Sequence, residues 1–151
     1  MNIIAVDISE VDIICHLWEE LNDYNNGLHQ KYFGHELGER WEHKRQEFRS
    51  KAGEGLIKFD IVKIGDKIVG YCISSLNTLL SGEIKSIYIL PKFRNRGIGT
   101  ALVNEHITWL KENRSQSVFL YVHPCNTDAI RFYWKFNFFS NSPLMEICEA
   151  K

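Results

Sequence analysis

A stretch of alternating apolar and polar residues near the middle of the chain sets the strongest limit on the fold. A strand is predicted over residues 56–64, because its apolar residues recur at every second position. These residues are Ile57, Phe59 and Ile61, and Ile64 follows at the end of the strand. Gly65-Asp66 then gives a two-residue hairpin signal into a second strand over residues 67–75. Strands joined by so short a turn run antiparallel, so a fully parallel sheet is excluded.

The rest of the chain predicts the order strand, two helices, three strands, helix, strand, helix, two strands. Ser9, with Asp12 in the capping-box position, predicts the start of the first helix, and Gly27 predicts its end. The remaining elements are predicted at residues 3–6, 39–51, 83–90, 98–113 and 118–122, then a helix after Asn126, and closing strands at 138–139 and 144–148. Hairpins followed by strand–helix–strand crossovers indicate the α/β class, with a mixed, mostly antiparallel central sheet flanked by helices.

Length and charge narrow the class further. A chain of 151 residues with 44% hydrophobic residues fits a single domain over residues 1–151. A formal charge of -1 supplies no overall field for nucleic acid or an anionic membrane, so neither is expected as a partner. The four cysteines are scattered singly, which favours a reducing, cytoplasmic setting.

The sharpest chemical signal is the turn Arg94-Asn95-Arg96-Gly97-Ile98-Gly99-Thr100, which lies between a predicted strand and a predicted helix. Its two glycines let backbone N–H groups approach a ligand, and a helix start adds partial positive charge. Such a turn suits a phosphate or pyrophosphate. The alternative is an ordinary loop whose glycines ease a tight turn.

Two common nucleotide motifs do not fit this turn. Leu102 occupies the third glycine position of G-x-G-x-x-G, and no G-K-[ST] follows the turn. The six histidines show no metal-ligand spacing, so no metal is expected.

The turn resembles the coenzyme A turn of the Gcn5-related N-acetyltransferase (GNAT) superfamily, whose motif is [RQ]-x-x-G-x-[GA] after the fourth strand. The preceding strand carries an acidic residue in that family, and Glu83 stands there. Downstream the family shows Asn-x-x-Ala opening a helix that ends in an aromatic-Tyr pair and Gly-Phe. The chain is similar over residues 126–138, with Asn137 replacing the glycine. Because Asn tolerates the left-handed conformation, the substitution leaves the resemblance intact.

The resemblance implies that acetyl-CoA is the cosubstrate and that main-chain N–H groups of the turn, with the Thr100 hydroxyl, bind its pyrophosphate. Backbone groups of Tyr88 and Ile89 would bind the pantetheine arm and polarise the thioester carbonyl. The implied cofactor-binding residues are Tyr88, Ile89, Arg94, Asn95, Arg96, Gly97, Ile98, Gly99, Thr100 and Asn126.

The resemblance also implies two catalytic residues. Tyr133 takes the place of the tyrosine that protonates the departing thiolate, although it also belongs to an apolar helical stripe with Ala129 and Phe132. Glu83 takes the place of the general base in histone-type members, and its alternative is a solvated charge at a strand start.

Residues 18–41 would wall the acceptor pocket in this superfamily. The acidic and aromatic side chains of Glu20, Tyr24, His29 and Tyr32 suit a cationic amine through charge and cation–π contact, or equally form a satellite core. The predicted activity is acetyl transfer to a primary amine of a small molecule or peptide. A homodimer stays open, and a non-catalytic acyl-CoA-binding regulatory module is the alternative function.

Overall fold

A five-stranded sheet is the central feature of the computed structural model, which describes residues 1–141, 144, 145 and 147. Its strands are β1 (Asn2–Ala5), β2 (Gly55–Ile64), β3 (Lys67–Asn77), β4 (Ser81–Ile89) and β5 (Ser117–Leu120). The strands lie in chain order, β1 to β4 antiparallel and β5 parallel to β4. This confirms the predicted mixed, mostly antiparallel sheet.

The described residues form four α-helices, and the first is longer than predicted. They are α1 (Cys15–Phe33), α2 (Trp41–Glu54), α3 (Ile98–Glu112) and α4 (Thr127–Trp134), with 3₁₀ segments at Ile8–Ile14 and Pro91–Phe93. The expected stop at Gly27 is wrong, because α1 continues through it. The helix ends where Gly34 adopts φ +83° and its N–H binds the Gln30 carbonyl.

The start of this helical region also differs from the prediction. Asp7, and not Ser9, supplies the cap, since its side chain accepts the N–H of Ser9 at 2.9 Å. The cap opens a 3₁₀ segment that leads into α1 at Cys15.

The strand predicted at residues 138–139 is wrong. After α4 the N–H groups of Phe136 and Phe138 both bind the Tyr133 carbonyl, and Asn137 adopts φ +66°. The chain therefore closes a tight turn where a strand would be extended. The last predicted strand, at 144–148, falls partly outside the described residues, and its described members 144, 145 and 147 are not in a strand.

The chain divides into two compact units. The first comprises residues 1–19 and 40–120 and contains the whole sheet, and the second comprises residues 20–39 and the described residues from 121 onward. In the first unit α2 and α3 lie on opposite faces of the sheet. A side chain at Gly82 of β4 would meet Leu110 of α3, whereas Lys85 of the same strand reaches Glu47 of α2.

A buried polar network ties α3 to the sheet in this first unit. His106 of α3 lies 2.7 Å from the Ser74 hydroxyl through Nδ1 and 3.2 Å from an Asp60 carboxylate oxygen through Nε2. Lys58 lies 3.2 Å from the same carboxylate. Burial lowers the pKa of His106, although Asp60 acts in the opposite direction. Because His106, Ser74 and Asp60 are almost fully enclosed, we assign them a structural role, in which removal of one charged partner costs about 3–5 kcal/mol.

Candidate active site

The free edge of β4 is the first part of the site. In the described part of the chain, β5 pairs with β4 only at residues 81–84, so the other end of β4 has no parallel neighbour. Along an antiparallel strand, the main-chain groups of successive residues face alternately toward the paired strand and away from it. Leu90 faces β3, because it donates its N–H to the Val69 carbonyl. Tyr88 therefore faces β3 with its main-chain groups, whereas Ile89 faces away. An extended ligand could pair with this edge as an added strand.

The predicted turn follows this edge directly. Pro91–Phe93 forms a 3₁₀ segment, after which Asn95 and Gly97 take left-handed conformations with φ +61° and +82°. α3 starts at Ile98, and its first intrahelical bond runs from the Ala101 N–H to the Gly97 carbonyl. The N–H groups of Ile98 and Gly99, at the start of the helix, therefore have no intrahelical carbonyl to bind and point out of the helix start.

The surroundings of this helix start suit an anion. Among the described residues, no acidic side chain lies in the first turn of α3 and no side chain caps this helix. A Cβ placed on Gly97 would meet no described atom within 4 Å, so the space beside the turn is open. The residues present therefore fit a bound pyrophosphate.

Basic side chains line the approach to the turn. The Arg94 guanidinium lies 5.1 Å from the centre of the Tyr88 ring, and its Nε donates to the Ile89 carbonyl at 2.8 Å. Arg96 and Lys67 both lie against Phe93, at 5.3 and 5.7 Å from its ring centre. The turn and the free edge of β4 are thus joined by Arg94, and positive charge surrounds both.

Glu83 belongs to a chain of alternating charges on the α2 side of the sheet. The Lys85 ammonium lies 3.3 Å from a Glu83 oxygen and 2.9 Å from a Glu47 oxygen of α2. Burial acts to lower the pKa of Lys85, but the two carboxylates outweigh it and raise that pKa. Burial likewise acts to raise the pKa of Glu47, but Lys85 and Lys44 outweigh it and lower that pKa. Sequence reasoning missed this network because Glu47 is far from β4 in the chain.

The second unit holds Tyr133 and Asn126. Asn126 caps α4, because its side-chain oxygen accepts the Ala129 N–H at 3.2 Å. The Tyr133 ring packs against Phe132 and Phe138, with ring centres 5.2 and 6.0 Å apart. The predicted cap by Asn126 is confirmed, and so is the left-handed conformation expected of Asn137. The coenzyme contact of Asn126 and the catalytic role of Tyr133 stay predictions.

The four predicted acceptor residues lie on α1 within the second unit. Glu20, Tyr24 and Tyr32 are exposed, whereas His29 is half-buried. Lys31 lies 5.4 Å from the Tyr32 ring centre. The exposed acidic and aromatic groups remain compatible with a cationic acceptor.

His29 contacts a residue that the sequence did not single out. Its Nδ1 lies 3.0 Å from Nε2 of His123, whose Nδ1 accepts the Cys125 N–H at 3.1 Å. This bond fixes the neutral tautomers: His123 carries its proton on Nε2 and donates it to His29. Burial, and then His29, lower the pKa of His123. Because the Nδ1 lone pair of each ring accepts a hydrogen bond, the pair offers no free base to a substrate.

The site residues are thus divided between the units. Glu83, Tyr88, Ile89 and residues 94–100 belong to the first, and Tyr133, Asn126 and the acceptor residues belong to the second. Within residues 1–141, 144, 145 and 147, no group of three or more His, Cys, Asp or Glu side chains is arranged to hold a metal ion. Of the helices described, none combines the length and the apolar character that crossing a membrane requires.

Sequence comparison gives clear relatives. The sequence profile of the acetyltransferase (GNAT) family matches residues 16–138. An uncharacterized N-acetyltransferase of Methanocaldococcus jannaschii is 32% identical over 118 residues, which cover 74% of this chain and 50% of that protein. An N-alpha-acetyltransferase of Sulfurisphaera tokodaii is 32% identical over 92 residues, which cover 53% of this chain and 55% of that protein. The chain spans about half the length of these curated relatives.

Solved structures share the fold at low sequence identity. A tetramutant of a Bacillus halodurans protein matches with a TM-score of 0.77 and 18% identity, covering 97% of this chain and 99% of that chain. The aminoglycoside N-acetyltransferase AAC(6')-Iy, crystallised in complex with CoA, matches with a TM-score of 0.67 and 13% identity, covering 96% of each chain. Both matches extend over nearly the whole of this chain.

Proposed function

Because this chain belongs to the acetyltransferase (GNAT) family, we propose that it transfers the acetyl group of acetyl-CoA to a primary amine. The observation that carries the proposal is the direct continuity between the free edge of β4 and an open, anion-binding helix start. A coenzyme A molecule needs both, since its pantetheine arm is an extended amide chain and its other end carries a pyrophosphate.

The residues of the turn would hold the pyrophosphate. Main-chain N–H groups of residues 95–99 and the Thr100 hydroxyl would supply donors, and the helix dipole of α3 adds partial positive charge. The Arg94 N–H, predicted as a further donor, already donates to the Pro91 carbonyl at 3.2 Å. At the free edge, the Ile89 N–H is a donor for the pantetheine arm or for the thioester carbonyl. The main-chain groups of Ile89 face away from β3 and those of Tyr88 face toward it, which favours Ile89 for this contact. The role of Tyr88 stays a prediction.

The proposed reaction is direct attack without an acyl-enzyme intermediate. The acceptor ammonium first loses a proton to Glu83, its nitrogen then forms a bond to the acetyl carbon, and the carbon–sulfur bond breaks. Tyr133 donates its phenolic proton to the departing thiolate, since a phenol of ordinary pKa about 10 is close in acidity to a thiol. The nitrogen loses its second proton to solvent as the carbon–sulfur bond breaks, and Glu83 and Tyr133 return to their starting forms by proton exchange with solvent. The amide, coenzyme A and one proton are the products.

The acceptor is proposed to be a small-molecule or peptide amine. One relative is an N-alpha-acetyltransferase and one solved neighbour is an aminoglycoside N-acetyltransferase, so both acceptor types belong in the same assay. Free thiol released from acetyl-CoA would be measured with a short peptide bearing a free α-amine, a polyamine and an aminoglycoside. Binding of acetyl-CoA without thiol release from any amine would favour the non-catalytic module.

We predict that acetyl-CoA or CoA stabilises the protein against heat, whereas NAD and ATP do so much less. A ligand that binds only the native state adds about 2.7 kcal/mol at a hundredfold excess over its dissociation constant. Thermal melts with each ligand at matched concentration test this. Equal shifts from all four compounds would contradict the assignment of the site to coenzyme A.

We also predict that Tyr32→Ala or Glu20→Gln raises KM for the amine without changing KM for acetyl-CoA. A residue that binds the amine equally in the ground state and in the transition state changes only KM for the amine when it is replaced. Leu79→Ala, at an exposed residue between β3 and β4, is the control, and each variant needs a melting temperature first. If stable variants keep the parent KM, the acceptor enters near residues 140–143, of which 142 and 143 lie outside the described residues.

A further inference from the structure

We propose that Lys85 is a positioning residue for acetyl transfer: its ammonium fixes the place of the Glu83 carboxylate on the sheet. The inference rests on the proposed function, because Glu83 is the proton acceptor in it. Nothing in the family motif of this chain points to Lys85, since the motif residues on β4 are Glu83 and the main chain near Ile89.

The first support is the enclosed position of the contact. The Lys85 side chain is 9% exposed and the Glu83 side chain 16%, with Nζ 3.3 Å from Oε1. Exposed ion pairs hold their partners loosely, whereas water screens a half-buried pair much less. The pair therefore holds the Glu83 carboxylate in one place beside Lys85.

The second support is a β-bulge in β4. Ser86 pairs with Ile73 of β3 and Ile84 pairs with Ser74, so Lys85 is the extra residue between two paired ones. Bulges are over-represented beside active sites. Lys85 and Glu83 both lie on the α2 side of the strand, and Glu83 stays in register with Ser75.

The third support is the second carboxylate. When Glu83 accepts a proton it becomes neutral, and a lysine with no other partner would then be left buried and unpaired, which is costly. Glu47 of α2 prevents this, because its Oε2 lies 2.9 Å from the Lys85 ammonium, closer than Glu83 does. Lys44 lies 3.5 Å from the same Glu47 oxygen and balances its charge. The network can therefore exchange one proton at Glu83 without losing its ion pairing.

The test compares Lys85→Met with the parent and with Lys51→Met. Methionine keeps most of the apolar stem of lysine and removes its charge. Lys51 is the matched control, since it is an ion-paired lysine on α2 whose Nζ lies 3.0 Å from Glu54. The kcat/KM for acetyl-CoA and the amine with the highest turnover in the panel would be measured from pH 5 to 9, with a melt of every variant. The ¹³C chemical shift of the Glu83 carboxyl, assigned with Glu83→Gln, would be recorded for every variant at one pH.

We expect Lys85→Met to lower kcat/KM for the amine by about tenfold or more and to change the ¹³C chemical shift of the Glu83 carboxyl, because the carboxylate loses the ammonium that holds it in place. Lys51→Met should change neither, and Lys85→Arg should restore both. Loss of stability alone would lower the melting temperature without changing the carboxyl signal of the folded protein. An active parent whose kcat/KM and carboxyl signal are the same in Lys85→Met overturns this inference alone. A folded parent that acetylates no amine overturns the proposed function, and the inference with it.

Discussion

Replacing Tyr133 by phenylalanine is expected to lower kcat by about 10²-fold or more while leaving the affinity for acetyl-CoA nearly unchanged. General acid catalysis typically supplies 10²- to 10⁴-fold, and phenylalanine removes only the proton that the thiolate would receive. The ring itself stays, so its packing against Phe132 and Phe138 is preserved. Steady-state kinetics with saturating acetyl-CoA, together with calorimetry for CoA binding, measure the two quantities separately.

Tyr121→Phe is the matched control for this experiment. It removes the same hydroxyl from another tyrosine of the second unit, outside α4 and outside the predicted site, and should leave kcat close to the parent value. If Tyr133→Phe keeps full turnover, Tyr133 is a packing residue of its helical stripe, and the thiolate takes its proton from water or another group.

The strands of the sheet were predictable because the pattern that indicates each strand lies within a short stretch of sequence. Alternation over 56–64 and the Gly65-Asp66 turn need only neighbouring residues, and the structure places β2 and β3 within two residues of the predicted ends. The turn over residues 94–100 was predictable for the same reason, since its two left-handed residues are an asparagine and a glycine. Its binding of phosphate stays a prediction.

Helix ends were less predictable, because a glycine is a possible stop but not an obligatory one. Gly27 lies inside α1, where the helix continues at a cost of about 1 kcal/mol relative to alanine. Gly34 ends the helix instead, in the left-handed conformation that glycine adopts without strain. Local sequence does not distinguish the two glycines, so contacts with other segments decide which of them ends the helix.

Contacts between distant segments could not be predicted at all. The His29–His123 pair joins residues 94 positions apart, and the Lys85–Glu47 ion pair joins β4 to α2. No spacing rule relates such residues, so the charge environment of Glu83 emerged only from the structure. Glu83 looked like a solvated strand-start charge or a lone base, and it is instead one member of an ion-paired network.

Replacing Gly97 by valine is expected to weaken CoA binding by about tenfold or more, which corresponds to about 1.4 kcal/mol. A Cβ at this position would enter the open space beside the turn, where we place the pyrophosphate, and the branched side chain would hold a phosphate away from the main chain. Valine also strains the backbone, because Gly97 has φ +82°. A fall in affinity could therefore reflect a distorted fold unless the strain is measured separately.

Gly65→Val separates the two effects. Gly65 also has a positive φ, +61°, and a Cβ placed on it would likewise meet no described atom within 4 Å, but it lies in the hairpin between β2 and β3. Both variants should lose similar amounts of thermal stability, since both place a β-branched residue at a left-handed position. Only Gly97→Val should lose CoA affinity when the two folded variants are compared by calorimetry. If their affinities equal that of the parent, the pyrophosphate does not bind at this helix start, and the coenzyme must approach the free edge of β4 from a different anchor.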